Sequence, residues 1–223
     1  MLGFPCLFVN FKTYSESTGR NALALAKAAE RVSLQSGHRV CVVPQAADLR
    51  LVSENVSIPV FCQHVDAIGP GAHTGHALAV AMKEAGASGT VLNHAERKID
   101  ALCLADSISI AKAAGLMVLA CAETVERASA IASLASKPDM IAFEPPELIG
   151  GNVSVSTAKP DLIADCVEAV SGHGIPLLVG AGVKSAEDVR VSMGLGAKGI
   201  FVASGVIKAS SPEAAMLDLV SGF

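Results

Sequence analysis

Eight short apolar segments, separated by segments with helical spacing, constrain the fold of this chain more than any other feature. Each is a continuous run dominated by Val, Ile, Leu, Ala, Phe and Cys, without regular alternation with polar residues. Continuous runs of this length are typical of parallel strands that are buried on both faces. The predicted strands are residues 5–9, 40–43, 58–62, 90–92, 116–121, 140–143, 175–179 and 199–202.

A helical segment follows each predicted strand. These segments are residues 16–35, 46–54, a helix ending at Glu84, 106–114, 124–134, 160–170, a helix beginning at Ser185, and 212–220. No linker divides the 223 residues, of which 51% are hydrophobic. We therefore predict an α/β protein with one domain over residues 1–223, a (β/α)8 barrel with shortened helices after strands 4 to 6. An open doubly wound sheet is the competing architecture, but it expects a glycine fingerprint where Asn10-Phe11-Lys12 stands.

Charge and cysteine usage exclude several functional classes. The net charge is −4 and no basic run is present, which argues against binding to nucleic acid or to an anionic membrane. No apolar run reaches the length of a membrane span, and residues 1–10 are predicted to form a strand rather than a signal peptide. None of the six cysteines is part of a C-x-x-C motif, which is typical of a reducing compartment. We expect a soluble cytoplasmic protein.

Polar residues follow four of the predicted strands, at the end of the barrel where active sites lie. They are Asn10, Lys12, Gln63, His64, Asn93, His94 and Glu144. After Glu144 come Pro145-Pro146, then Leu148-Ile149, then Gly150-Gly151, which is the layout of a base beneath a lid. Each residue alone has an ordinary interpretation, such as a capped strand end or a solvated lysine. Together they favour a site.

Strands seven and eight end in small residues instead. These ends are Gly180-Ala181-Gly182 and Ala203-Ser204-Gly205. In such barrels this region frequently binds phosphate through backbone N–H groups. The alternative is tight packing of the turns, but the occurrence at both strands favours a phosphate site.

Five motifs in order resemble triosephosphate isomerase, and most closely its compact archaeal branch. They are Asn10-Phe11-Lys12, Gln63-His64-Val65, residues 71–75, residues 91–97 and residues 143–150. The resemblance implies a TIM barrel that interconverts glyceraldehyde 3-phosphate and dihydroxyacetone phosphate in glycolysis and gluconeogenesis. It makes Glu144 the base, His94 a neutral electrophile and Lys12 an electrostatic clamp, roles already known for that family.

The resemblance also implies supporting roles. Asn10 would hold the substrate oxygen, and Glu96 would pair with Lys12. Phosphate-binding N–H groups would come from Gly150, Gly182, Ala203 and Ser204. No metal or cofactor is implied. The family further implies a homo-oligomer, expected here as a tetramer, with a contact loop near Thr74.

The chain departs from the commoner form of the family at several positions. Ala95 replaces the usual Ser after the histidine, and residues 179–182 replace Tyr-Gly-Gly-Ser, which removes two side chains expected to latch the lid. His64, His73 and His76 could suggest a metal site, but no carboxylate or thiol completes an obvious ligand set.

Two other functions stay open at this stage. One is a different phosphate-binding barrel enzyme, although a Schiff-base aldolase would want a lysine within a strand and none is present. The other is a catalytically inactive barrel that binds a sugar phosphate. A turnover assay with glyceraldehyde 3-phosphate separates these functions.

Overall fold

A computed structural model of the chain describes residues 2–145, 155–180 and 182–223. Its eight strands are β1 (Cys6–Asn10), β2 (Arg39–Val43), β3 (Phe61–Cys62), β4 (Gly89–Leu92), β5 (Met117–Ala122), β6 (Met140–Phe143), β7 (Leu177–Val179) and β8 (Gly199–Val202). Its helices are α1 (Arg20–Ser36), α2 (Leu49–Ser53), α3 (Ala79–Glu84), α4 (Ala101–Ala113), α5 (Val125–Ala132), α6 (Val155–Ala158), α7 (Pro160–Ser171), α8 (Ala186–Gly194), α9 (Ser204–Ile207) and α10 (Pro212–Val220), with a 3-10 turn at Ser15–Ser17.

The strands form one parallel sheet in the order β2-β1-β8-β7-β6-β5-β4-β3. The first strand lies between β2 and β8, so the sheet curls round on itself. A parallel bridge between Val42 and Val60 joins its two edges and closes the barrel almost completely. The predicted (β/α)8 barrel is therefore confirmed, and the open sheet is excluded.

The apolar core has two layers. One consists only of strand residues and fills the inside of the barrel, where the Phe8 ring meets Phe61 and Phe201 edge to face at 4.9 and 6.4 Å. The other joins the outer face of the strands to the helices. Continuous apolar runs are needed because both strand faces are buried in this way.

Some helices differ from the predicted ones in where they begin. Helix α4 begins at Ala101 rather than at residue 106, because the Asp100 carboxylate caps it by accepting from Cys103 N–H at 2.8 Å. The predicted cap at Ser185 is present as a capping box with Asp188. The four-residue helices α6 and α9 were not predicted.

The helices after strands 4 to 6 differ in length. Helix α5 has eight residues, whereas α4 has 13 and α7 has 12. Helices α2 and α3, with five and six residues, are shorter than α5. None of the helices in the described parts of the chain combines the length and apolar character that crossing a lipid bilayer requires.

Candidate active site

The carboxyl ends of the strands bring four of the predicted site residues, Asn10, Lys12, His94 and Glu96, around one pocket. Its volume is about 170 Å³. Its lining residues are Asn10, Lys12, Thr13, Gln63, His64, Val91, His94, Glu96 and Arg97. The Glu144 carboxylate is not part of this lining, but its Oε2 lies 3.7 Å from Nε2 of His94.

Glu144 directly follows β6 and is 6% exposed. Its backbone N–H donates to the Ala122 carbonyl at the end of β5, at 2.9 Å, which fixes where the side chain starts. Oε2 is fully buried and has no hydrogen-bond partner among the described residues. A buried carboxylate oxygen without a donor is poorly stabilised as an anion and is therefore ready to accept a proton.

Burial raises the pKa of the Glu144 carboxyl above its ordinary value. This effect outweighs the lowering by His94, by the Cys121 thiol as hydrogen-bond partner and by the Lys12 ammonium. Burial likewise raises the pKa of the Cys121 thiol, so the thiol stays protonated and can donate to the carboxylate. A carboxylate whose pKa is raised is a stronger base than one in water.

His94 stands second after β4, and its ring is buried. The Glu96 backbone N–H donates to Nδ1 of His94 at 3.2 Å. With Nδ1 as the acceptor of this bond, the proton of a neutral ring would be carried by Nε2. That N–H lies on the side of Glu144, where it can donate to a substrate oxygen.

Lys12 lies two residues after β1 in a left-handed backbone conformation, with φ 48°. Two amide side chains hold this backbone: Asn10 Oδ1 accepts from Lys12 N–H at 3.0 Å, and Gln63 Nε2 donates to the Lys12 carbonyl at 2.8 Å. The ammonium donates to Glu96 Oε1 at 2.8 Å, and the side chain is 11% exposed. A fixed, largely buried cation therefore faces the pocket.

Gly180 directly follows β7 and leaves the space that Glu144 occupies. A Cβ at this position would lie 2.9 Å from Cγ of Glu144 and 2.9 Å from the Phe201 carbonyl oxygen. Both distances are shorter than real contacts allow, so the glycine is required for the carboxylate to stay where it is.

Small residues follow β7 and β8, and the described ones are Gly180, Gly182, Ala203, Ser204 and Gly205. Gly182 has φ 76°, and Ala203 precedes the short helix α9, which begins at Ser204. The first N–H groups of a helix have no partner within it, and so they remain available to an anion. Gly150, the predicted lid residues around it, and Ala181 lie outside the described residues.

Three residues close to the site were not assigned a role from sequence. They are Gln63, which holds Lys12; Asn93, which precedes His94; and Cys121, which contacts Glu144. Asn at a strand end before a turn is a usable signal, because Asn tolerates the left-handed conformation better than most residues. Nothing in the sequence alone marks the contact between Cys121 and Glu144.

The histidines do not assemble a metal site. Among the described residues, no cluster of three or more His, Cys, Asp or Glu side chains could hold a metal ion. His64 Nε2 instead lies 3.0 Å from Asp66 Oδ1, and burial lowers the pKa of His64. The His73 and His76 rings lie edge to face at 5.9 Å on an exposed loop.

Known proteins match nearly the whole chain. The family model of triosephosphate isomerase matches residues 5–222. The triosephosphate isomerase of Methanocaldococcus jannaschii is 44% identical over 96% of this chain and 98% of its own length. The triosephosphate isomerase of Methanothermus fervidus is 44% identical over 97% of this chain and 98% of its own length. The triosephosphate isomerase of Methanosarcina acetivorans is 41% identical over 98% of this chain and 99% of its own length.

Proposed function

Since the chain belongs to the triosephosphate isomerase family and is an isomerase of triose phosphates, we propose that Glu144 is its base, His94 its electrophile and Lys12 its electrostatic clamp. The substrates are D-glyceraldehyde 3-phosphate and dihydroxyacetone phosphate. We further propose a cytoplasmic location and a part in glycolysis and gluconeogenesis. The catalytically inactive barrel of the sequence analysis would have no need of these three groups in this arrangement.

One observation carries the assignment: Glu144 Oε2, buried and without a hydrogen-bond donor among the described residues, lies 3.7 Å from Nε2 of His94. Moving a carbonyl between neighbouring carbons requires a base at carbon and a proton donor at oxygen. The short distance between Glu144 and His94 supports this pairing of a base with a proton donor.

The chemistry follows from these positions. Glu144 removes the proton from the carbon beside the carbonyl, and the electron pair moves onto the carbonyl oxygen to give an enediolate. The Nε2–H of His94 and the Lys12 ammonium stabilise the negative oxygen. The protonated Glu144 then delivers its proton to the adjacent carbon, while a proton moves between the two oxygens through His94.

The opposite rim supports binding of the phosphate group. We assign the N–H donors to Gly182, Ala203 and Ser204, with Gly150 of the predicted lid as a fourth donor. Asn10, whose side chain is buried and accepts from Lys12 N–H, supports the substrate oxygen through Lys12. Glu96 orients the Lys12 ammonium.

Substitution of Glu144 tests the assignment of the base. Glu144→Asp keeps the carboxylate but draws it back by roughly 1 Å, and a misplacement of that size costs on the order of 10²-fold. We expect kcat to fall by about that factor with little change in KM. In D2O, exchange of the substrate's carbon-bound proton should slow in parallel. Glu123→Asp is the matched control, because Glu123 also follows a strand end but pairs with Lys98. Wild-type kinetics in Glu144→Asp would remove Glu144 as the base.

Association of several copies is the second part of the proposal, and we propose a homo-tetramer. Residues 69–76, which include Thr74, form an exposed loop that is tied at its base. Asp66 N–H donates to the Ala77 carbonyl at 2.9 Å, and Ala77 N–H donates to Asp66 Oδ2 at 2.6 Å. A projecting loop fixed in this way is suited to insertion into a neighbouring copy.

Apolar surface near this loop supports the same interpretation. A groove of about 200 Å³ runs between the loop base, α3 and α4, and is lined by residues such as Ile68, Leu78 and Ile110. Val80 on α3 and Leu102 on α4 are 45% and 74% exposed. Burying such side chains between copies removes apolar surface from water.

Sedimentation at micromolar concentration tests the tetramer. The double variant Val80→Glu, Leu102→Glu should shift the protein to smaller species. Leu34→Glu on α1 is the control, because Leu34 is 76% exposed but lies on a helix that packs against α10. A fully active wild-type monomer would contradict the proposal.

A further inference from the structure

Asn93 occupies an unusual position between β4 and His94. It is one of two non-glycine residues with positive φ in the described parts of the chain, at 57°, and the other is Lys12. Left-handed backbone is costly for most side chains and least so for Asn and Gly. Asn93 is also only 3% exposed, so it is not a surface turn residue of the ordinary kind.

Both ends of the Asn93 side chain are used. Nδ2 donates to the Cys121 carbonyl on β5 at 2.9 Å, and Oδ1 accepts from Ile99 N–H at 3.2 Å. The amide therefore ties the end of β4 to its neighbouring strand. It also closes residues 93–99 into a loop, because Ile99 lies just before α4.

This loop carries the electrophile. Within it Arg97 N–H donates to the His94 carbonyl at 2.8 Å, and Glu96 N–H donates to His94 Nδ1. On the other side, Glu144 N–H is bound to the Ala122 carbonyl, one residue beyond Cys121 on β5. Asn93 thus connects the loop of His94 to the same strand end that fixes Glu144.

We propose that Asn93 is a positioning residue that sets the separation between Nε2 of His94 and Oε2 of Glu144. The proposal rests on the roles assigned above to His94 and Glu144. Asn93 itself does not touch the substrate. Its left-handed backbone turns the chain so that His94 enters the pocket, and its amide keeps the His94 loop from drifting away from β5.

The main test is Asn93→Gly, which permits the same φ and removes both hydrogen bonds. We expect kcat to fall by about 10 to 10²-fold, the scale of a misplacement near 1 Å. KM should change by less than about threefold, because the phosphate is held at the opposite rim. The ¹⁵N resonances of the His94 ring should show loss of its single tautomer, a change that a merely structural role would not produce.

Two further variants keep the result interpretable. Asn93→Asp retains the acceptor for Ile99 N–H but places a carboxylate oxygen against the Cys121 carbonyl, so kcat should fall at least as far as in Asn93→Gly. Asn55→Gly is the matched control, because Asn55 also binds a backbone carbonyl, that of Leu51, but lies before β3 at the opposite end of the barrel. It should leave kcat unchanged.

His94→Gln separates failure of this inference from failure of the proposed function. Wild-type turnover in His94→Gln would overturn the proposed function and the role of Asn93 with it. An impaired His94→Gln beside wild-type kcat in either folded Asn93 variant would overturn the positioning role alone. The positioning role would also be overturned if kcat fell only together with Tm while the ¹⁵N spectrum of the His94 ring stayed unchanged.

Discussion

The strand ends of β1, β3 and β4, which line the pocket, differ in construction from the strand ends of β7 and β8. On the first rim, side chains hold side chains and backbone: Asn10 and Gln63 fix Lys12, and Asn93 fixes the loop of His94. On the second rim, small residues leave space and present N–H groups. Reacting atoms need a particular acid or base at a particular point, whereas a phosphate needs only donors and room.

The largest effect should come from the side-chain rim. Lys12→Met removes the cation that we propose to stabilise the developing oxyanion, and we expect turnover to fall by at least about 10³-fold. Binding of 2-phosphoglycolate, measured by calorimetry, should also weaken. Lys98→Met is the control, because Lys98 pairs with Glu123 and is half exposed. Unchanged affinity for the anion would mean that Lys12 is not the clamp.

The next effect tests the space left on the backbone rim. Gly180→Ala places a Cβ 2.9 Å from Cγ of Glu144, so the carboxylate must move, and kcat should fall by about 10²-fold. Gly172→Ala is the control, since φ there is −61° and no atom lies within 4 Å of the added Cβ. A Gly180→Ala enzyme with normal kcat would show that Glu144 tolerates displacement.

A smaller effect concerns stability and its dependence on pH. Because burial raises the pKa of Glu144, the folded protein holds this proton more tightly than the unfolded chain does. The protonated Glu144 carboxyl stabilises the fold at pH values below the pKa of Glu in the unfolded chain, near 4.3. This stabilisation is lost as pH rises through the raised pKa of Glu144 in the folded protein. Glu144→Gln should therefore raise Tm at pH 7, by roughly 2–4 °C per kcal/mol. The gain should vanish near pH 4, and a pH-independent difference would contradict the cause given.

The smallest effect is expected at Ser204. If the backbone N–H binds the phosphate, Ser204→Ala should change kcat and KM by less than about threefold, since only the hydroxyl is lost. Steady-state kinetics measure this directly. An increase in KM of more than about tenfold would assign the phosphate contact to the Ser204 side chain and weaken the contrast between the rims.

The sequence predicts the strands and their ends well but predicts helix starts and strand lengths less well. Strand positions followed from continuous apolar runs, and the strand ends predicted that Lys12, His94 and Glu144 lie near one another, because parallel strands bring their ends together. The start of α4 was missed because the cap at Asp100 acts through one local hydrogen bond that competes with weak propensities. Strand β3 is shorter than predicted because Val60 pairs with β2 only through an isolated bridge.

Finer features of the site depend on neighbours distant in sequence. The left-handed backbone at Lys12 is held by Gln63, which lies on another strand end. Oε2 of Glu144 is buried and finds no hydrogen-bond donor within the part of the chain that the structure describes. Hydrophobic periodicity along the chain contains no information on the Lys12 backbone or on the surroundings of Glu144 Oε2. A resemblance to known motifs predicts the roles of these residues but does not explain which contacts hold them.

The seam between β2 and β3 is the part of the barrel where we expect the strands to separate most easily. Within the described residues this seam is held by the Val42–Val60 bridge, including the hydrogen bond from Val42 N–H to the Pro59 carbonyl at 3.2 Å. Backbone amides there should exchange with solvent deuterium earlier than those between β1 and β2. Gln63 spans the same seam, because its Nε2 donates to the Val43 carbonyl on β2 and to the Lys12 carbonyl after β1. We therefore expect opening of this part of the barrel to disturb the Lys12 backbone through Gln63.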